Sequence, residues 1–118
     1  MFLCLALNIY FEARNQSPDG QRMVAEVTME RAAGGDICET VWQPGAFSWT
    51  QDGKSDEPKD EEAWMFAQSI AMDVIINGCE FCTGATYYHE KSIHPYWADD
   101  YRMVGMVGDH IFYTTWEN

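Results

Sequence analysis

The segment LCLALNIYFEARN, residues 3–15, contains neither glycine nor proline and is apolar on nearly every side of a helix. At a helical spacing of about 100° per residue, its polar side chains form one narrow stripe made of Asn8, Glu12 and Asn15. A helix with so little polar surface is typical of the centre of a fold. We therefore expect the other elements to pack around this first helix.

Three more helices are predicted downstream from local start and stop signals. Ser17 is a good N-cap residue, Pro18 suits the first helical position, and Asp36 can cap the next helix. Gly34-Gly35 follows the first of these helices and Asn77-Gly78 the last, and neither pair easily continues a helix. These helices are expected over about residues 18–33, 36–42 and 58–77.

The last third of the chain changes to patterns that favour strands. Strands are predicted over residues 85–89, 101–107 and 110–115, and Gly108-Asp109 suits a tight hairpin between the last two. Helices first and strands last predict an α+β fold with a small C-terminal antiparallel sheet. A length of 118 residues predicts one domain, 1–118.

The charge balance excludes several function classes. Seven Lys and Arg stand against 19 Asp and Glu, giving a net charge of −12. Nucleic-acid binding and adsorption to anionic lipid both need the opposite sign, so neither is expected. No apolar run is long enough to insert into a membrane. The apolar start has no basic residue before it and no small-residue cleavage site, so we expect a helix there and no signal peptide.

Four cysteines permit three pairings, and their use stays open at this stage. The four are Cys4, Cys38, Cys79 and Cys82. The last two form a CxxC motif that allows a local disulfide, a zinc site completed by His89 and His94, or simply buried thiols. The spacing is not that of a zinc finger, so no metal site is predicted.

Glu12 is the first candidate for chemistry. It lies on the thin polar stripe of an otherwise apolar helix, where partial desolvation raises the pKa of a carboxyl. A carboxylic acid that stays protonated near pH 6 can donate a proton to a leaving oxygen. The alternative, favoured on position alone, is an ordinary helix-end glutamate paired with Arg14 or capped by Asn15.

Aromatic side chains in predicted loops and strand ends are the second signal. Sugar rings stack on aromatic faces, and sugar hydroxyls bond to Ser, His and Asn. The candidate binding residues are Phe47, Ser48, Trp49, Tyr87, Tyr88, His89, His94, Tyr96 and Trp97. The alternative is ordinary core packing, which we expect for Trp42, Trp64, Phe66 and Phe112.

Five strings occur in order along the chain: ALNIYFEAR (6–14), GQRMVAEVTMER (20–31), AFSW (46–49), GATYYH (84–89) and GDHIFY (108–113). Together they resemble the SleB-type cell wall hydrolases, which are the spore-cortex-lytic enzymes and their relatives in other bacteria and phages. The resemblance implies a lysozyme-like helical core and a peptidoglycan-cleaving glycosidase, usually a lytic transglycosylase, without a cofactor. It implies that Glu12 is the essential acid. The resemblance therefore favours a catalytic acid over the ordinary helix-end glutamate that position alone favours.

The same resemblance implies that Phe47, Ser48, Tyr87, Tyr88 and His89 bind substrate. The other candidate binding residues are chosen for their side-chain chemistry and for their closeness in the sequence to these segments. They are Trp49, His94, Tyr96 and Trp97. Two departures stand out: the family usually has Asn-Arg where this chain has Glu30-Arg31, and the usual partner of Cys38 is not evident.

Several alternatives stay open after the resemblance. A hydrolytic muramidase would need a second carboxylate, for which Asp19, Glu26 and Asp52 are the candidates. A non-catalytic glycan-binding module would use Glu12 as a core acid. We expect a monomer that acts on the cell wall, in the periplasm or the spore cortex, and a phage lysin released from a host cytoplasm is one form it could take.

A salt dependence follows from the charge. Repulsion between this acidic chain and acidic peptidoglycan should slow encounter in ~0.01 M salt, where the Debye length is ~30 Å. We predict that digestion of purified sacculi, followed by turbidity, rises with NaCl to a few tenths molar and then levels off. An activity that falls steadily with added salt would contradict this.

Overall fold

The computed structural model describes residues 1–115, in which four α-helices precede a three-stranded antiparallel sheet. The helices are α1 (Phe2–Ala13), α2 (Pro18–Ala32), α3 (Ile37–Trp42) and α4 (Glu61–Asn77). The strands are β1 (Tyr87–Glu90), β2 (Arg102–Val107) and β3 (His110–Thr114), and short 3₁₀ turns cover Ser48–Gln51 and Tyr96–Asp99. The α+β prediction is confirmed. None of the helices in residues 1–115 is long and apolar enough to cross a membrane.

Side-chain caps set the helix boundaries. Ser17 Oγ accepts from the backbone N–H of Gly20 at 3.2 Å, as expected for the N-cap of α2. Asp36 caps α3 in the same way. The prediction for α4 is three residues too early, because Asp60 rather than a residue near Pro58 accepts the capping hydrogen bond, from Ala63 N–H.

The sheet has the order β1-β3-β2, so β3 is the central strand. β1 begins two residues later than predicted, at Tyr87, where pairing with Tyr113 starts. The last two strands form the expected hairpin, with Val107 opposite His110. β1 therefore lies at one edge of the sheet, which leaves its outer side open to solvent or to other segments.

Helix α1 is the centre of the helical part, as its sequence predicts. Leu5 and Ile9 are fully buried in a core to which α1, α3, α4 and the 3₁₀ turn at Ser48–Gln51 all contribute. A second, smaller core lies between α2 and the sheet, with Val24 and Phe112 at its centre. The two cores meet along α1 and α2, which is where the helical part joins the sheet.

One polar residue of α1 points inward instead of toward solvent. Asn8 is fully buried, donates to Thr28 Oγ1 at 3.0 Å, and accepts from Trp49 Nε1 at 2.8 Å. This network ties α1 to α2 and to the 3₁₀ turn at Ser48–Gln51. Because every member has a partner, the network specifies the position of α1 rather than weakening the core.

The core prediction for aromatic residues holds only in part. Phe112 is fully buried, and Trp64 packs edge-on against Tyr10 at the margin of the main core. The prediction is wrong for Trp42 and Phe66, which are 41% and 39% exposed. Trp42 ends the short helix α3 and packs edge-on against Trp49, and Phe66 lies on the solvent side of α4.

All four cysteines form disulfides, Cys4–Cys38 and Cys79–Cys82. The first fastens α1 to α3 and identifies Cys4 as the partner of Cys38, a pairing that the sequence left open. The second closes the CxxC turn. A sulfur atom in a disulfide is not a thiolate ligand, so the zinc alternative built on Cys79 and Cys82 does not hold.

The buried network around Asn8 predicts a large stability loss on truncation. Asn8→Ala leaves a cavity and strands the indole N–H of Trp49, so we expect urea denaturation to report a loss of about 2–4 kcal/mol. The control Asn15→Ala removes an exposed amide beyond the end of α1 and should change stability by less than about 0.5 kcal/mol. Equal denaturation midpoints for wild type and Asn8→Ala would contradict the assignment.

Candidate active site

Glu12 lies in the last turn of α1 and faces strand β1. The phenol of Tyr88 donates a hydrogen bond to Glu12 Oε1. Both side chains are half-buried, and their bond joins the helical part of the molecule to the sheet. Within residues 1–115, neither alternative partner hydrogen-bonds to Glu12: Arg14 donates to the Tyr10 carbonyl oxygen at 3.4 Å, and Asn15 Oδ1 accepts from Gln16 at 3.5 Å.

Burial raises the pKa of Glu12 above its ordinary value of 4.5. The Tyr88 hydrogen bond and the positive charge of Arg31 lower that pKa without cancelling the effect of burial. The position near the C-terminal end of α1 acts in the same direction as burial, because the helix dipole is negative there. Glu12 is therefore a carboxyl that keeps its proton at a higher pH than an exposed glutamate.

Tyr88 is held in place by the sheet. It lies opposite Phe112 in the β1–β3 pairing, and its ring packs against Phe112 at 5.4 Å and His110 at 5.1 Å between centroids. Burial and the neighbouring Glu12 raise the pKa of Tyr88 well above 10, so its hydroxyl remains a donor. Burial also lowers the pKa of His110, which favours a neutral ring beside Tyr88.

Arg31, at the C-terminal end of α2, belongs to the site although it was not among the predicted site residues. Its Nη1 donates to the Ala46 carbonyl at 3.3 Å, and its Nε donates to the Thr86 carbonyl. The guanidinium carbon lies 4.9 Å from the ring centre of Phe47 and 5.1 Å from that of Tyr87. The sequence does contain a signal for Arg31, because it ends the 20–31 string that resembles the family. In the sequence analysis it appears only beside Glu30, where the chain departs from the family's Asn-Arg.

Phe47 and Trp49 support the site from inside the core. They are 3% and 5% exposed, and Trp49 stacks on Phe11, the residue before Glu12, at 4.8 Å. Ser48, between them, is exposed. Both rings therefore belong to the main hydrophobic core. Direct contact of Phe47, Ser48 or Trp49 with a ligand stays a prediction.

Three other predicted binding residues, Tyr87, His89 and Trp97, lie in a second aromatic group. Tyr87 and His89 alternate with Tyr88 along β1, so they point to the other face of the strand. There Trp97 packs against Tyr87 at 5.2 Å and His89 at 5.7 Å, and His89 Nε2 contacts Tyr113 Oη at 2.8 Å. The structure therefore divides the predicted aromatic set between two faces of one edge strand.

Two further predicted binding residues are on the surface near this aromatic group. His94 pairs with Asp99 at 3.2 Å, and Tyr96 is 90% exposed. Within residues 1–115, neither hydrogen-bonds to Glu12 or Tyr88. Their role in binding stays a prediction.

None of the three candidate second carboxylates hydrogen-bonds to Glu12 or Tyr88 in residues 1–115. Glu26 accepts from the backbone N–H groups of residues 80, 81 and 82 at 2.7–3.2 Å, so it holds the CxxC turn. Asp52 accepts from Lys54 N–H in an exposed loop, and Asp19 is exposed in the first turn of α2. Within the described chain, Glu12 is the carboxyl at the junction of α1 and β1.

Two cavities are lined by residues that neighbour Glu12 and Tyr88 in the sequence. A hollow of about 260 Å³ is lined by Phe11, Arg14 and Asn15, which flank Glu12 along α1. A larger cavity of about 510 Å³ is lined in part by Arg31 and Tyr87. Open space therefore adjoins the residues next to Glu12 along α1 and next to Tyr88 along β1.

Comparison with known proteins agrees with this architecture. The cell wall hydrolase family model matches residues 15–113, a span that begins three residues after Glu12. The catalytic domain of the germination-specific lytic transglycosylase SleB from Bacillus anthracis superimposes with a TM-score of 0.79 at 24% identity, covering 96% of this chain and 93% of that one. The catalytic domain of the Bacillus cereus SleB protein gives 0.76 at 24% identity, with 96% and 89% covered. At this identity the two structures show a shared fold. No curated protein sequence gave a significant match.

The desolvated acid predicts a stability gain on neutralisation. Folding raises the pKa of the Glu12 carboxyl, so its protonated form is favoured in the folded state. The resulting contribution to stability is complete below the pKa of Glu12 in the unfolded chain, and it is lost as pH rises through the higher pKa in the folded protein. Glu12→Gln should therefore raise the melting temperature at pH 7 by roughly 2–5 °C, and the gain should shrink toward pH 4. Calorimetry at both pH values measures this, and a variant less stable than wild type at pH 7 would contradict it.

Proposed function

Because the chain belongs to the cell wall hydrolase family, we propose that it cleaves the glycan strands of peptidoglycan with Glu12 as the general acid. The observation that carries the proposal is the half-buried Glu12 carboxyl, whose pKa is raised and whose Oε1 accepts from Tyr88. General acids need a pKa close to the working pH, and desolvation is the usual way to achieve this for a glutamate.

The first step is protonation of the leaving oxygen. Oε1 is occupied by the Tyr88 hydroxyl, so Oε2 is the oxygen free to carry the proton. Glu12 gives this proton to the glycosidic oxygen between N-acetylmuramic acid and N-acetylglucosamine. The bond to the muramyl C1 breaks, and an oxocarbenium-like sugar forms.

The second step uses the same residue as a base. Glu12 is now a carboxylate, and the Tyr88 hydrogen bond becomes charge-assisted and stronger. The nearby positive charge of Arg31 stabilises the same state. The carboxylate then takes the proton of the muramyl 6-hydroxyl, whose oxygen attacks C1 and closes a 1,6-anhydro ring.

A lytic transglycosylase is favoured over a hydrolytic muramidase by the surroundings of Glu12. A hydrolase would need a second carboxylate to activate water or to act as nucleophile. Within residues 1–115, Glu26 is engaged by three backbone amides, and neither Asp19 nor Asp52 hydrogen-bonds to the Glu12–Tyr88 pair. The Bacillus anthracis protein of the same fold is described as a lytic transglycosylase, which supports the proposal.

The proposal predicts both the product and the essential residue. Purified sacculi digested by the wild type should yield muropeptides lighter by one water molecule than hydrolysis products, as seen by liquid chromatography and mass spectrometry. Glu12→Gln should lower the rate by at least about 10²–10⁴-fold because it cannot give up a proton. The control Glu62→Gln makes the same change at an exposed position in α4 and should keep full activity.

Two results would count against this account. Digestion by Glu12→Gln at a rate near that of the wild type would remove Glu12 from the mechanism. Products with reducing-end muramic acid would replace the transglycosylase with a muramidase and require another carboxylate.

The pH profile offers a separate prediction for Tyr88. Activity requires protonated Glu12, so kcat/KM should fall as pH rises through the Glu12 pKa. The Tyr88 hydrogen bond lowers that pKa, so Tyr88→Phe should move the falling limb to higher pH while reducing the maximal rate. A falling limb that stays in place or moves to lower pH would show that Tyr88 does not act on Glu12.

A further inference from the structure

The cavity of about 510 Å³ beside Arg31 is not used by the chemistry proposed for Glu12. It lies where the end of α3 and residues 43–46 approach the start of β1. Six of its lining residues carry polar or aromatic groups: Arg31, Thr40, Gln43, Thr86, Tyr87 and Thr115. Its volume is within the range of about 300–1,000 Å³ that is typical of ligand sites.

The charge of this cavity is opposite to that of the whole chain. The protein has 19 acidic residues, yet none of the residues of 1–115 that line the cavity is acidic, and Arg31 gives it a positive charge. Arg22 and Lys91, by contrast, are neutralised by carboxylates. Arg31 uses Nε and Nη1 for backbone carbonyls, and its Nη2 has no hydrogen-bond partner among the described residues.

The uncharged lining groups can pair with amides. Thr86 Oγ1 is buried and has no hydrogen-bond partner within residues 1–115, which is costly unless a ligand or water supplies one. Thr40 Oγ1 donates to the Asp36 carbonyl at 3.0 Å, so its oxygen is left to accept from an N–H group. Gln43 is exposed and offers both an amide donor and an acceptor.

A guanidinium with free N–H groups favours a carboxylate, and hydroxyl and amide groups around it favour peptide bonds. In peptidoglycan, the part that carries both groups is the short stem peptide on the lactyl arm of N-acetylmuramic acid. N-acetylglucosamine is neutral, so it gives Arg31 no counter-charge.

We propose that this cavity binds the stem peptide of a peptidoglycan strand, with one peptide carboxylate on Arg31. The inference rests on the proposed function, because it identifies which part of the same polymer occupies the space next to the acid. The Arg31 guanidinium packs against the rings of Phe47 and Tyr87, and Tyr88, the next residue of β1, donates to Glu12. A peptide held on Arg31 therefore places its muramyl unit near the acid.

The test is a binding titration that needs no catalysis. The free tetrapeptide L-Ala–γ-D-Glu–meso-diaminopimelate–D-Ala is added to ¹⁵N-labelled wild type, and backbone amide shifts are followed. We expect shifts at Arg31, Thr86 and Tyr87, and binding that weakens as NaCl is added. Absence of shifts at these residues, up to the solubility limit of the peptide, would overturn the proposal.

Two charge variants locate the site. Gln43→Glu places a negative charge at the cavity rim and should weaken the Kd by about three- to fivefold. Met65→Glu adds the same charge at an exposed position of α4 that lines none of the described cavities, and should leave the Kd unchanged. Equal weakening by both variants would show that only net charge matters and would overturn the assignment.

N-acetylmuramic acid without a peptide is the second probe, because its free lactyl carboxylate is the other source of negative charge. Binding as tight as that of the tetrapeptide would overturn the assignment to the stem peptide. Failure of the proposed function is seen separately, as intact sacculi after incubation with wild-type enzyme. The peptide titration reports on the cavity in either case.

Discussion

The hydrogen bond from Tyr88 to Glu12 is the interaction on which the account of this protein depends, because it joins the two parts of the fold. Glu12 belongs to the central helix α1, and Tyr88 belongs to the edge strand β1. The acid is desolvated because the sheet closes over the end of α1. The same contact therefore completes the fold and sets the proton affinity of the carboxyl.

The sequence predicts the helices well because their signals are local. Ser17 and Asp36 cap the helices that follow them, and the apolar surface of α1 correctly places it at the centre. The exposed positions of Trp42 and Phe66 depend on which side of α3 and α4 meets a neighbour, and that information is not local. The Cys4–Cys38 disulfide likewise depends on how α1 packs against α3, which local sequence signals do not indicate.

The candidate site also has a part that local sequence predicts and a part that depends on tertiary contacts. Glu12 is a candidate from its place on a narrow polar stripe, and the family resemblance, not its position, favours it as the acid. The neighbours that act on it, Tyr88 and Arg31, come from distant parts of the chain. Alternation along β1 also separates Tyr88 from Tyr87 and His89, which a list of adjacent aromatic residues does not indicate. A chain of charge −12 has a cavity whose charged lining residue is Arg31, so the net charge of the protein does not predict the local charge of this cavity.

The most direct test of the central claim is the pKa of Glu12 itself, measured from the ¹³C shift of its side-chain carboxyl carbon during a pH titration of the wild type. The account predicts a value above the ordinary 4.5, with the Tyr88 ring signals changing over the same pH range. A pKa at or below 4.5 would mean that burial does not hold the proton on Glu12, and the proposed general acid would lose its physical basis.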